Sequence, residues 1–518
     1  MSEGATGALS QGEAADESET SETQFASVLS ILRGASIYGI GTVIARGLGF
    51  VLTMLLTHGL GSAAFGVFVL AKRLVRISVG LADLGADKAI FRFVPKYEDD
   101  PVRRGSVLGL GLATSLVASL AFAAGLALAA PWINAQTIEH PLFPDVLRVF
   151  ALALPLYTLR RVLTAVFRGI ERLEYTVGIN RIAFPSAKIA AVAGAFFLGA
   201  SAVGVVAALV ATGAVMLVAT VVLLLARTDI RPRADGVRSV GREYYNYSLP
   251  LSVSAAGGLV YSHVDVLMLS VFTTATDIGV YHVALALASL LSLPLLATNQ
   301  LFPPIASRLY EDGNYEDLQG IFGFITRWMV TISLFAGVAL VLFRRPVLAL
   351  FGADFTAGAT VLVVLAFAKV VHAAVGPSGY VLMMTDHQYV SVANQVSTAA
   401  LNTVLNYVFI LQYGLVGAAV GTALSITVVN VARIAQVYYL EGLMPYSRRY
   451  VKPLVAVGVA SAAMVGVRAG LAGRLPGLAI VLLGGLVGFG ALAGTIWALG
   501  IDDTDREFLD RILEGTGQ

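Results

Sequence analysis

The sequence predicts an all-α polytopic membrane protein of about 14 transmembrane helices: two pseudo-symmetric six-helix lobes in a parallel repeat, plus two C-terminal helices. Three observations predict it. Of the 518 residues, 57% are hydrophobic and only 13% charged, about half the charged share of a soluble domain. Runs of roughly twenty apolar residues, each enough to cross a hydrocarbon layer of ~30 Å, recur from Ala35 to Leu499 with short breaks. Finally, Gly66 and Gly279, Tyr175 and Tyr389, Asn180 and Asn394, and Gly204 and Gly417 all stand 213 or 214 residues apart, as two copies of one unit would place them.

Residues 1–34, rich in Ser, Gly, Thr and Glu, read as a disordered acidic tail. They lack the basic start and apolar stretch of a secretory signal. Spans are expected at 35–58, 64–84, 105–130, 143–167, 175–199 and 202–226, forming an N-lobe over 35–226. A basic linker at 227–243 leads into a C-lobe over 244–440, with spans at 244–272, 278–300, 319–343, 356–384, 389–411 and 415–440. Two further spans, 451–471 and 476–499, occupy 441–499, and 500–518 is a polar tail. All read as helices, because lipid satisfies no open backbone group and the segments are too long and too evenly apolar for barrel strands. Six spans per unit leave both copies pointing the same way through the bilayer, so the lobes are related about the membrane normal with a cavity between them.

Most Lys and Arg between spans, including Arg103, Arg104, Arg231, Arg233, Arg238, Arg448 and Arg449, fall on one side. The positive-inside rule then predicts a multi-pass protein of the cell (plasma) membrane with cytoplasmic N- and C-termini. No cysteine is present, which excludes disulfides, thiolate metal sites and a thiol nucleophile. No Gly-rich phosphate loop ending in Lys-Ser or Lys-Thr is present, so ATP hydrolysis is not expected. His263 and His372 stand alone without ligand spacing, so no metal and no other cofactor is expected.

An ionisable side chain deep in a span costs at least ~2.5 kcal/mol, so each needs a partner, a wet cavity or an escape route. Arg46 lies midway along the first span, and Lys72, Arg73 and Arg76 in the second are expected to form a single cationic stripe, which Asp83 continues. Arg160, Arg161, Lys188, Arg327 and Lys369 extend the set, and near-terminal members such as Arg161 and Arg181 also lie within snorkelling reach of the interface. Positive charge exceeds the intramembrane carboxylates, chiefly Asp83 and Asp265, so a cavity lined by these cations calls for an anionic ligand, and guanidinium forks suit phosphate. Asp83 and Asp265 read either as structural partners or as sites of proton or sodium coupling, with pairing the simpler role. Asn299, Asn394, Asn402, Asn406 and Asn430 read as interhelical hydrogen-bonding groups, and Pro155, Pro250, Pro294 and Pro377 as kinks within spans.

Several stretches resemble the polysaccharide transporter branch of the multidrug/oligosaccharidyl-lipid/polysaccharide (MOP) exporter superfamily. They are Tyr247-Ser248-Leu249-Pro250-Leu251, Asp265-Val266-Leu267-Met268-Leu269 and Ile278-Gly279-Val280-Tyr281, then Asn402-Thr403-Val404-Leu405-Asn406 and Tyr413-Gly414-Leu415-Val416-Gly417-Ala418-Ala419. In the first lobe, Leu60-Gly61, Phe65-Gly66-Val67-Phe68, Asp83-Leu84-Gly85 and Arg92-Phe93-Val94-Pro95 resemble the family's opening. The resemblance implies a flippase that moves a polyprenyl- or dolichyl-(pyro)phosphate-linked oligosaccharide to the outer leaflet by alternating access, for polysaccharide or surface glycan biosynthesis. Its partners would be membrane lipid and that lipid-linked substrate, with no nucleic acid; the oligomeric state stays open and a monomer suffices. Two other classes stand beside it. A MATE-like cation-coupled multidrug antiporter shares the fold, but its mostly cationic substrates suit a positive cavity poorly. A membrane-embedded glycosyltransferase or glycan ligase would need a large catalytic loop, and the loops here are short; an enzyme is not expected.

Overall fold

The computed structural model describes residues 4–500 apart from Ser262. All regular elements in that range are helices. The N-terminal half contains α1 (Gly4–Ala82), α2 (Ala86–Lys96), α3 (Pro101–Ala135), α4 (Phe143–Ala151), α5 (Ala153–Gly169), α6 (Leu173–Val177), α7 (Phe184–Phe197) and α8 (Ala202–Arg227). The C-terminal half contains α9 (Val237–Tyr261), α10 (Val264–Phe272), α11 (Ala275–Ser289), α12 (Leu293–Glu311), α13 (Tyr315–Leu342), α14 (Arg344–Ala349), α15 (Ala359–Ala374), α16 (Ser378–Met384) and α17 (Gln388–Glu441). Two last helices, α18 (Val451–Leu471) and α19 (Gly477–Leu499), pack on each other and against α13 and α14.

The acidic segment read as a disordered tail is helical in backbone from Gly4, in keeping with Ala, Glu and Gln as good helix formers and no proline before Pro95. The expected tail at 500–518 lies almost wholly outside the described residues. Among the described residues, ten helices are long and apolar enough to cross a membrane, rather than fourteen. Two of the ten stretches, of 56 and 54 residues, are far longer than one crossing needs and bend at glycines with positive φ: Gly61 (φ 74°) and Gly414 (φ 53°). Two other expected spans are interrupted, at the π-helical turn Gly178–Ala183 between α6 and α7 and at the break between α9 and α10.

Caps set several of the boundaries. Asp100 accepts from the backbone N–H groups of Val102 and Arg103 to start α3 with Pro101 in its first turn. Thr274 and Asp277 form a reciprocal capping box that opens α11.

Packing divides the molecule unevenly. At the end that carries Gly61, Gly199, Thr273 and Gly414, one buried cluster is shared by both halves, including Phe65 and Phe68, Phe150, Val205, Leu269, Ile278, Phe355 and Ile410. At this sealed end the repeat-related glycines meet. A Cβ on Gly66 would overlap the carbonyl oxygen of Ala275, and one on Gly279 would lie 2.6 Å from the carbonyl oxygen of Ser62, so only glycine permits this approach of α1 to α11. Ser62 also donates across the halves to Asp354, at 2.9 Å. At the opposite end the cores are separate: Phe93, Val107, Phe167 and Tyr244 form one, and Phe302, Phe322, Val381 and Val437 the other.

The first half of α9 lies along the N-lobe. Gly85 abuts the Ser248 carbonyl, Arg92 stacks 4.3 Å from the Tyr247 ring, and Glu243 accepts from Lys96 and from Tyr97. Those hydrogen bonds, Lys96 first, hold the exposed Glu243 carboxyl below the ordinary glutamate range.

Candidate functional site: a cationic chamber

The second segment of α1 starts at Gly61, so Lys72 and Arg76 stand roughly 16 and 22 Å from the sealed end at 1.5 Å per residue. Four residues apart, they share a face, and both are exposed. The Lys72 ammonium is nonetheless surrounded by protein at longer range. An exposed ammonium that neighbouring charges and protein surround in this way fits a gap between helices.

Lys188 on α7 lies at the same depth, eleven residues before Gly199 as Lys72 is eleven after Gly61, and the charges of Lys72, Arg160 and Arg76 all act on it. Phe184 holds two of the cations, with the Lys188 ammonium 3.8 Å and the Arg160 guanidinium 4.2 Å from its ring centroid. Arg160 also donates to Asn180 Oδ1, which sits in the π-helical turn. That turn displaces the register of the fifth span, a device common at functional sites. Among the described residues, Lys72, Arg76, Arg160 and Lys188 make no ion pair.

Arg73 departs from the expected stripe. One residue turns an α-helix by about 100°, which swings Arg73 off the Lys72/Arg76 face toward the other half. There its Nη1 lies 2.8 Å from His263 Nδ1, and Asp265 supplies the nearest opposing charge. Asp265 opens α10, accepts from the Val266 N–H at 2.8 Å and the Tyr281 hydroxyl at 3.2 Å, and lies in the field of Arg73 and Lys369. Arg46 donates to the Ser289 carbonyl at 3.2 Å, and its charge acts on Lys369, as that of Arg181 acts on it. Arg73 and Lys369 therefore meet Asp265 where the halves adjoin, with Arg46 close enough to act on Lys369.

Three expected members lie elsewhere. Arg161 binds Asp87 Oδ2 through Nη2 at 2.8 Å and Asp83 Oδ2 through Nε at 3.3 Å, and Arg168 approaches Asp87 at 3.7 Å. Asp83 is buried, and its backbone carbonyl accepts from Ser115. This cluster ties α1 and α2 to α5; Arg161 and Asp83 thus lock the N-lobe instead of lining the chamber, because α2 brings a second carboxylate one turn beyond the first. Arg327 is only 4% exposed, 6.0 Å from the Phe324 ring and within the field of Tyr450. It is packed in the C-lobe rather than beside the other cations.

A second cavity, of about 410 Å³, lies between α15, α16 and α17. Lys369, His372 and Arg433 line it with Gln395, Thr398 and Asn430. Asn430 joins two of these, 3.2 Å from His372 Nδ1 through Nδ2 and accepting from Arg433 at 3.3 Å through Oδ1. Sequence reasoning missed Arg433; its signal was Lys369, His372, Asn430 and Arg433 all falling on the tenth and twelfth expected spans. No cluster of metal-ligating residues occurs among the described residues.

The fold is that of a multi-pass membrane protein with basic side chains gathered among its helices. The model of the "Polysaccharide biosynthesis protein" family matches residues 31–308, more than half of the chain, and the chain belongs to that family. It is similar to the "Probable low-salt glycan biosynthesis flippase Agl15" of Haloferax volcanii, 26% identical over 420 residues, 79% of this chain and 84% of that protein. Among solved structures, a lipid II flippase MurJ in an inward closed conformation superimposes with a TM-score of 0.68 at 13% identity, covering 88% of this chain and 97% of that one. An inward-facing multidrug MATE transporter of the MOP superfamily gives 0.59 at 17% identity, covering 78% and 96%. These two likenesses bear on the fold alone. The relatives are transporters and flippases, and the protein is a transporter rather than an enzyme.

Proposed function

We propose that the protein is a flippase of glycan biosynthesis that carries a polyprenyl- or dolichyl-(pyro)phosphate-linked oligosaccharide from the cytoplasmic to the outer leaflet by alternating access. The observation that carries this reading is the group of four cations, Lys72, Arg76 and Arg160 gathered around Lys188, without an ion pair among the described residues. At ~2.5 to 3.5 kcal/mol each on insertion scales, four such groups cost roughly 10 kcal/mol or more to bring to mid-bilayer depth. A wet chamber and a phosphate ligand offset that cost; a structural role would have supplied acids. The lipid phosphate docks on these four, the glycan extends toward Lys369, and the lipid chain stays in the bilayer at a gap between the lobes. In this reading each bent or interrupted helix makes two crossings or completes one, which gives about fourteen, with both termini cytoplasmic and the sealed end outward.

Binding and release then alternate by rocking the lobes, with the Gly66–Gly279 contact closed in one state and parted in the other. Asp265, held by Tyr281 and in the field of Arg73 and Lys369, is placed to pair the lobes. The cationic lining favours this cargo over the cationic drugs of a multidrug antiporter.

The test is reconstitution in vesicles with a fluorescent polyprenyl-phosphate-linked glycan. The double variant K72Q/R76Q is expected to lose at least tenfold in flipping rate while eluting as a folded protein, and wild-type rates in that variant would overturn the assignment. A strain lacking the protein is expected to accumulate the lipid-linked precursor on the cytoplasmic leaflet and to lose a surface glycan.

A further inference from the structure

The cavity between α15, α16 and α17 plays no part in holding the lipid phosphate, yet it is chemically specialised. Lys369 and Arg433 bring fixed positive charge and His372 a ring nitrogen, while Gln395, Thr398 and Asn430 bring amide and hydroxyl groups. No carboxylate is among the described residues that line it. Met383, Ile426 and Val429 add an apolar surface. Its volume of about 410 Å³ falls within the range of roughly 300 to 1,000 Å³ of small-ligand pockets.

A site for the lipid chain would not carry two cations, and a site for a neutral sugar would not need them, since each is costly at this depth. Amides and a hydroxyl opposite an apolar patch match the ring of a pyranose, which offers hydroxyl edges and a C–H face. The cations match an acid group on that ring. Position supports this. The charge of Arg46 on α1 and that of Asp265 on α10 both reach Lys369, so the Lys369 wall of the cavity lies toward the junction of the lobes.

We infer that this cavity is a binding site for an acidic sugar residue of the transported glycan, its carboxylate or sulfate taken by Lys369 and Arg433 and its hydroxyls by Gln395, Thr398 and Asn430. The inference rests on the proposed function and narrows it: the cargo carries negative charge on the glycan as well as on the lipid phosphate. The cation that faces the lobe junction, Lys369, then senses both ends of one substrate.

The experiment is calorimetric titration of the full-length protein in detergent with digalacturonate, its methyl ester, the neutral disaccharide cellobiose and inorganic phosphate. Digalacturonate is expected to bind at least tenfold more tightly than the ester, cellobiose or phosphate. K369Q and R433Q are each expected to weaken it at least tenfold, and K72Q/R76Q by less than twofold. Equal binding of acid and ester, undiminished binding in K369Q and R433Q, or phosphate binding as tight as the uronate that is lost in K369Q and R433Q and kept in K72Q/R76Q would each overturn the inference, the last by making the cavity a phosphate site. Should K369Q or R433Q fail to fold, Q395L at an exposed position serves the same purpose, and an unchanged affinity in it would count against the site. The two readings fail separately: normal flipping by K72Q/R76Q removes the proposed function, whereas the uronate titration decides the cavity whatever that assay gives.

Discussion

Arg161 and Arg160 are neighbours in sequence with opposite fates. Arg160 turns to Phe184 and Asn180 and has no acid, while Arg161 bridges Asp83 and Asp87. The variant R161A leaves two carboxylates within a few ångströms of each other in a buried setting. Removing one partner of a fully buried pair costs about 3 to 5 kcal/mol, and because the Arg161 side chain keeps 38% exposure we expect about 2 kcal/mol, read as a lower thermal midpoint in detergent. Arg160→Gln should leave that midpoint nearly unchanged and slow flipping at least tenfold, and an equal loss of stability in both variants would contradict the division of labour between them. The cationic excess was legible in the sequence, but its partition was not. Asp87 lies just past the end of the second apolar run, so it was not counted as an intramembrane partner, and α2 returns it to Arg161 only once the chain has folded. The deviation of Arg73 from its neighbours' face depended in the same way on where Asp265 came to rest.

At the scale of elements, the apolar runs located α3, α8, α13, α18 and α19 within a few residues, because hydrocarbon leaves the backbone one local solution. What those runs could not disclose was interruption. The π-helical turn at Gly178–Ala183 lies just before Pro185 and the break between Tyr261 and Val264 more than ten residues beyond Pro250, so neither proline marks its position; what accompanies them is contact, Asn180 with Arg160 and Asp265 with Tyr281. The Gly66–Gly279 pairing was visible only as a shared offset, and its meaning is steric. Gly66→Val inserts a branched side chain where a single Cβ already overlaps the Ala275 carbonyl, so α1 and α11 must separate at the sealed end. In a background carrying S62C, otherwise free of cysteine, G66V is expected to raise labelling by a membrane-impermeant maleimide severalfold, and no change in labelling would show that the helices part nowhere near Ser62.

For the whole molecule, Ser62 and Asp354 bridge the lobes at the sealed end with their side-chain oxygens 2.9 Å apart. The pair S62C/D354C, joined by oxidation or a short bis-maleimide, is expected to stop flipping almost completely, with reduction of the disulfide restoring it. Flipping that persists with the link intact would mean that the lobes need not separate there. The two-lobe plan and its fold family could be read from the repeat and from short motifs, whereas the unequal division of the core could not, because it depends on which faces meet rather than on which residues are apolar.

That unequal core acts as a one-sided latch. Swinging the lobes open at the latched end means giving up contacts among Phe65, Ile278 and Phe355, while at the other end little is gained until Phe93 and Phe322 draw near each other. With the proposed orientation, sealed end outward, the empty protein idles with its mouth toward the side where the substrate is made. To reverse a preference of ninety-nine to one takes about 5.5 kcal/mol of differential affinity, which a single headgroup at one cluster of cations would struggle to provide and a cargo held at both ends could.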